Sequence, residues 1–267
     1  MSDGTVHLDL SEQIATLRFD RGSRRNALHW PMWLALGERL DEARAARPRA
    51  LILTGEGPHF CAGMDLKPDN PLVERILPAI MDGQEAPARG VITELKAITR
   101  KLLDFPVPTF AAIEGVAAGG GYEIALHCDV LVAARDARVG LPEVRAGMVP
   151  DVGGSTLLAR RVGPGRAALA ACTGRMFDAP EAQLLGYLDL LAEPGQALAL
   201  ARSLAAEVCL GGPVAVAGAL RTVRAVPSLA LDAAFALETE AGVAALTSGE
   251  PREGTLAFME KRAAVWG

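Results

Sequence analysis

Three glycines and two glutamates carry the chemical possibilities of this 267-residue chain. Gly119-Gly120-Gly121 runs directly into Tyr122-Glu123, and Glu143 follows in Gly140-Leu141-Pro142-Glu143. Glycine has no Cβ, so backbone N–H groups beside it can approach a ligand closely. Such groups can receive negative charge that develops on a bound molecule. Two carboxyl groups near that point would form a proton-transfer set. Each signal alone is weak. The triplet also reads as a tight strand-to-helix turn, and each acid as a solvated or helix-end carboxylate. Asp151, in Pro150-Asp151-Val152-Gly153-Gly154, reads as an N-cap for a helix starting near residues 153–155.

The surrounding pattern supplies elements to hold these residues. Residues 107–113 form an apolar, partly β-branched run that predicts a buried strand leading into the glycines. Residues 51–54 predict another strand, followed by the glycine-rich loop Gly55 to Leu66. Residues 6–10 and 14–19 predict a hairpin, 32–46 a helix with Pro31 in its first turn, and 129–134 a further strand. Residues 67–88 hold four prolines, mixed charge and short helical pieces, and are expected to be the most mobile stretch. An amphipathic helix is expected over 90–103. Beyond Ser155 helices dominate: 155–162, 164–173, 180–185, 196–209, 213–226, 229–248 and 251–265, with only 188–191 reading as a strand. Strand–helix–strand alternation before that point predicts an α/β fold.

Composition narrows the class. Half the residues are hydrophobic but only 4% are aromatic, which favours a large aliphatic core. The net charge of −5, with no basic run, argues against a nucleic-acid surface. Cys61, Cys128, Cys172 and Cys209 show neither C-x-x-C nor zinc spacing, and His7, His29, His59 and His127 are scattered, so no metal is expected. Reduced thiols, acids within the first nine residues and no uninterrupted apolar run of spanning length predict a soluble cytoplasmic protein without membrane attachment. No strand-coupled G-x-G-x-x-G appears, which argues against a nicotinamide cofactor.

Several motifs fall in one order. Asn26-Ala27-Leu28, Phe60-Cys61-Ala62-Gly63-Met64-Asp65-Leu66, Gly119 to Glu123, Cys128-Asp129, Pro142-Glu143, Gly153-Gly154 and Ala257 to Arg262 together resemble the enoyl-CoA hydratase/isomerase (crotonase) superfamily over nearly the whole chain. The resemblance implies a crotonase-like α/β fold, with repeated ββα units forming a sheet core over residues 1–195. A helical trimerisation region would follow over 196–267, and the assembly would be a homotrimer or homohexamer.

The implied substrate is an acyl-CoA thioester, with coenzyme A part of the substrate and no separate cofactor. The N–H groups of Met64 and Gly120 would stabilise the enolate-like oxygen. Glu123 and Glu143 match the two glutamates of members that hydrate 2-enoyl thioesters, so enoyl-CoA hydratase activity is expected. Asp151 matches an aspartate that dienoyl-CoA isomerases use as a proton shuttle, which keeps a double-bond isomerase as the rival, beside a catalytically silent acyl-CoA binder. Capping is the role expected for Asp151 first. Arg25, Ala27, Ala62, Asp65, Leu66, Lys67, Gly119, Phe258 and Lys261 match substrate and coenzyme A contacts, with Arg21, Arg24 and Arg25 near the phosphates. Asp65 is expected to hold its loop rather than react.

Overall fold

The computed structural model describes residues 4–266. Met1–Asp3, part of the acidic start, and Gly267 lie outside the described residues. The chain begins with β1 (Thr5–Ser11) and β2 (Ile14–Asp20), an antiparallel pair turned by Glu12 and Gln13, both at positive φ. A two-residue turn of that hand matches the strand twist. Then come α1 (Trp30–Ala45), β3 (Ala50–Gly55), α2 (Pro71–Asp82), α3 (Glu85–Leu103), β4 (Thr109–Ile113), β5 (Val116–Ala118) and α4 (Gly120–Ala125). They are followed by β6 (Val130–Ala134), β7 (Arg138–Gly140), a 3-10 turn at Pro142–Ala146, α5 (Gly154–Val162), α6 (Pro164–Thr173), β8 (Met176–Asp178), α7 (Ala179–Leu184) and β9 (Leu190–Ala192). The chain ends with α8 (Ala197–Cys209), α9 (Pro213–Ala225), α10 (Leu231–Thr247) and α11 (Glu250–Glu260).

Two sheets organise the molecule. The main one has the order β1-β2-β3-β4-β6-β9 and is parallel beyond the first pair. The second has the order β5-β7-β8. Strand pairs β4–β5 and β6–β7 place one strand in each sheet before the chain turns helical, which is the expected ββα repeat. Parallel bridges Cys61↔Ala117 and Leu28↔Met64 extend the second layer toward the N-terminal half. Met64 therefore lies beside the glycine turn although 56 positions precede Gly120.

β3 and β4 are buried along their length because both faces are covered, as parallel sheets require. On one face Ile14, Ile52, Phe110, Ala112 and Val132 meet Ala197, Ala201 and Ala205 of α8, whose i,i+4 alanines let the helix lie close. The other face joins the larger core of Leu17, Leu51, Leu53, Ile113 and Leu131 with α1 and α3. α8 is thus part of the sheet core, which carries the core past the expected boundary at residue 195. Only α9–α11 stand outside it.

Several boundaries differ from expectation. Residues 67–88 carry a full helix, α2, capped by the Asn70 side chain on Leu72 N–H and kept despite an internal Pro78. α3 starts five positions earlier than expected. Met176–Asp178 is a strand although only 188–191 was expected to be one beyond Ser155, and β5 and β7 are three-residue strands too short for a periodic signal. α11 ends at Glu260, where Lys261 turns left-handed, instead of running to Val265. Trp266 then folds back and donates its indole N–H to Leu210 O at 3.0 Å. Among the described residues no single helix is long and apolar enough to cross a membrane.

Candidate active site

The loop after β3 is sewn onto the segment before α1. Ala62 N–H bonds Arg25 O, Leu28 N–H bonds Gly63 O and Asp65 N–H bonds Leu28 O, at 2.7–3.0 Å. This ribbon passes over Met64 N–H and leaves it free to face the glycine turn. Gly63 sits at φ +95°, and a Cβ there would stand 2.6 Å from Ala118 O and 3.3 Å from Gly120 N. Any larger residue would push the two layers apart. Gly120 opens α4, so its N–H has no acceptor within the helix. A Cβ position on Gly120 lies 3.7 Å from Met64 N. The two expected oxyanion donors therefore border one small space.

Both glutamates border the same space. The Cβ position of Gly119 is 3.0 Å from Glu143 Oε1, and that of Gly120 is 4.0 Å from Glu123 Oε2. Glu123 is only 3% exposed. Its Oε1 accepts the N–H groups of Val152 (2.8 Å) and Gly154 (2.9 Å), which leaves Oε2 to face the cavity. Burial pushes its carboxyl up to about 8, against the pull of those two amides, and the nearby Glu143 adds to the rise. Glu143 is also raised, chiefly by burial, and neither of its oxygens has a partner on another residue. Two such neighbours titrate as a pair and can hold a proton between them near neutral pH.

Asp151 does not cap α5. Gly153 occupies the cap position, and the amides of Val152 and Gly154 are already taken by Glu123. The Asp151 carboxyl instead lines the same cavity, raised by burial and opposed by the charge of Lys96. The capping expectation is corrected because a longer acid from α4 reaches those amides first. Beneath them His127, buried and held neutral down to about pH 4 by desolvation, bonds Glu123 O through Nδ1. A Cβ on Gly153 would stand 2.6 Å from its ring, so the histidine supports the loop that holds Glu123.

The cavity holds about 550 Å³ and joins Ala62, Met64, Leu66, Gly119, Gly120, Glu123, Glu143 and Asp151. Most of its remaining wall is apolar, with Trp33 from α1, Ile76, Ala79 and Ile80 from α2, and Val91, Ile92 and Leu95 from α3, while the exposed Arg145 stands at its edge. The proline-rich stretch thus builds the wall, a role that no residue in it announces by type. Asp65 turns its carboxylate away from the cavity: it is buried against Arg21 Nη1 at 2.7 Å and also accepts Lys67 N–H, as expected of a residue that holds its loop. Arg21, 4% exposed, likewise cannot reach a phosphate. Arg25 and Lys67 are exposed beside the loop, and neither they nor Ala27 line the cavity. Phe258 (85% exposed) and Lys261 stand at the end of α11. No group of three His, Cys, Asp or Glu among the described residues could hold a metal ion.

Comparison with known proteins identifies the family. Residues 9–267 match the family described as enoyl-CoA hydratase/isomerase. An enoyl-CoA isomerase/hydratase of Mycosarcoma maydis is 33% identical over 98% of this chain and 92% of its own length. An enoyl-CoA hydratase of Mycobacterium tuberculosis is 33% identical over 91% and 89%. The crystal structure of an enoyl-CoA hydratase from Bacillus anthracis superposes with a TM-score of 0.88 at 29% identity, covering 98% of both chains. Matched by that family over nearly its whole length, the chain belongs to the enoyl-CoA hydratase/isomerase family, the crotonase superfamily.

Proposed function

We propose that the protein adds water across the 2,3 double bond of a 2-enoyl-CoA thioester. The observation that carries this reading is the meeting of Glu123 and Glu143 at the space bordered by Met64 N and Gly120 N. The thioester oxygen takes the two N–H groups as it gains negative charge, each typically worth about 3 kcal/mol of barrier. In the form that reacts, the proton shared by the pair sits on Glu143, and the ionised Glu123, steadied by the Val152 and Gly154 amides, draws a proton from water as the oxygen attacks Cβ. Glu143, with no competing partner, delivers a proton to Cα. Water is the other substrate, and no separate cofactor enters. The coenzyme A nucleotide is assigned to Arg25, Ala27 and Lys67 on the exposed side of the loop, with Phe258 and Lys261 contributing from the C-terminus. The assembly is proposed as a trimer or a pair of trimers, in the cytoplasm, with no nucleic-acid or membrane partner.

Double-bond isomerisation is kept as a second reading because Asp151 faces the cavity and is not spent on capping. Turnover of 2-enoyl-, 3-enoyl- and 3,5-dienoyl-CoA thioesters tests both readings on the same protein. Glu123→Gln should remove hydration by about 10²–10⁴-fold, as expected of a positioned acid–base group. Glu143→Gln should remove hydration and isomerisation alike. Asp151→Asn should spare hydration within a few-fold and abolish any dienoyl isomerisation. Losses under tenfold in both folded glutamate variants would refute the assignment.

A further inference from the structure

Trp33 is the largest side chain that the fold buries completely, and it stands at the wall of the cavity. Its helix, α1, starts just beyond Leu28, whose N–H donates to Gly63 O and whose carbonyl accepts Asp65 N–H. The ring is therefore held in register with the loop that carries Met64. A Cβ position on Gly120 lies 3.6 Å from Trp33 Cζ2, 3.7 Å from Met64 N and 4.0 Å from Glu123 Oε2. One carbon at that point touches the indole edge, the amide and the acid at ordinary van der Waals separation. Three elements, α1, the loop and α4, close there around a space one atom deep.

Folding gives little reason for a tryptophan at this position. Its indole N–H has no hydrogen-bond partner among the described residues, although a buried indole usually finds one. An unpaired donor costs about 1–3 kcal/mol, which a buried leucine would avoid. What the indole adds is a rigid wall beside the reacting atoms. In the proposed reaction the thioester oxygen takes the Met64 and Gly120 N–H groups while Glu123 works at Cβ. The carbons from the carbonyl to Cβ therefore pass the point that Trp33, Met64 and Glu123 border. A straight-chain carbon there already meets the ring. A methyl branch toward α1 would need about another 1.5 Å, the length of a C–C bond, and the ring occupies that space. We infer that Trp33 excludes branching at Cα or Cβ, so that the site selects straight-chain 2-enoyl thioesters. The inference deepens the hydratase reading and rests on it.

Hydration of 2-butenoyl-CoA and of its 2-methyl and 3-methyl derivatives tests it. The wild-type kcat/KM should favour the unbranched thioester by at least about tenfold over each branched one, the size of a methyl group refused by a packed pocket. Trp33→Leu should cut that preference about tenfold for at least one branched thioester, and Trp33→Phe by less, with circular dichroism confirming the fold. A wild-type protein that hydrates a branched thioester as well as the straight one overturns the inference. So does a preference unchanged in Trp33→Leu, or an equal loss on all three thioesters, because a ring that only supports the fold would not distinguish them. Calorimetry on Glu123→Gln, in which hydration is removed, reads the same preference as affinity. If the wild-type protein hydrates none of the three while that affinity preference is present and falls with Trp33→Leu, the hydratase reading fails and the wall stands. If hydration occurs and no preference is found in rate or affinity, the wall alone fails.

Discussion

Glu123 accepts two backbone N–H groups and yet keeps its proton to about pH 8, because burial outweighs both amides. That imbalance has a consequence for stability. The folded protein binds a proton that the unfolded chain has lost above its ordinary value of 4.5. Stability present below that value is therefore lost as pH rises through about 8, at up to about 1.4 kcal/mol per pH unit. Glu143 and Asp151, also raised, add slope of the same sign. His127 works the other way: its value is lowered to about 4, so its contribution stands above 6.5 and fades as pH falls. Between pH 6.5 and 8 only the carboxyl effect remains of the two. Urea denaturation across that window should show stability falling in the wild-type protein and a flatter profile in Glu123→Gln. An unchanged slope would mean that Glu123 is already ionised at pH 6.5.

At the scale of elements, the loop that carries Met64 depends on a buried charge pair. Arg21 Nη1 donates to Asp65 Oδ2 and to Ala27 O, joining the end of the loop to the segment between β2 and α1. Asn70 continues the chain of contacts. It donates to Asp65 O at 2.6 Å while accepting Trp30 N–H and Leu72 N–H, so α2 starts from the same point. Arg75 then stacks on Trp30 and pairs with Glu94, pinning α2 to α1 and α3 as a cavity wall. Arg21→Met leaves Asp65 as a buried charge without its guanidinium and should cost about 3–5 kcal/mol in a denaturant titration. Arg21→Met with Asp65→Leu should recover a large part of that loss. Equal losses in the single and double variants would show that the pair does not act as a unit.

At the scale of the whole molecule, the last two helices leave large apolar side chains uncovered. Phe235 and Leu246 on α10, and Phe258 and Met259 on α11, are 56–85% exposed, all outside the sheet core. Patches of that kind mark association surfaces. The proposed trimer would cover them and bring a second chain toward the coenzyme side of the loop. Light scattering at micromolar concentration should give a trimer or hexamer. Removing residues 255–267 should lower both the mass and the affinity for coenzyme A. A stable full-length monomer would eliminate the proposal.

Much of this was legible in the residue order. The hairpin, β3, β4, β6 and most helices followed from apolar spacing, because each buries a regular face. Glu123, Glu143, Gly120 and Met64 were singled out by motif and resemblance, and the fold does bring them around one space. Composition could not say which amide each acid would hold. Asp151 has the residue type and position of a cap, but Glu123 arrives from 28 positions earlier and occupies those amides. Asp65 was expected to hold its loop, but Arg21 was expected near the phosphates, and only the closed loops make it the buried partner of Asp65. β5, β7 and β8 are three residues long and hold their places through neighbours rather than any periodic pattern. The apolar wall of the cavity comes from α1, α2 and α3 at once, so no single stretch encodes it. Local sequence determined the elements and the reactive groups. Tertiary contact decided burial, and with it the proton affinities, the free amides and the neighbours that give those groups their roles.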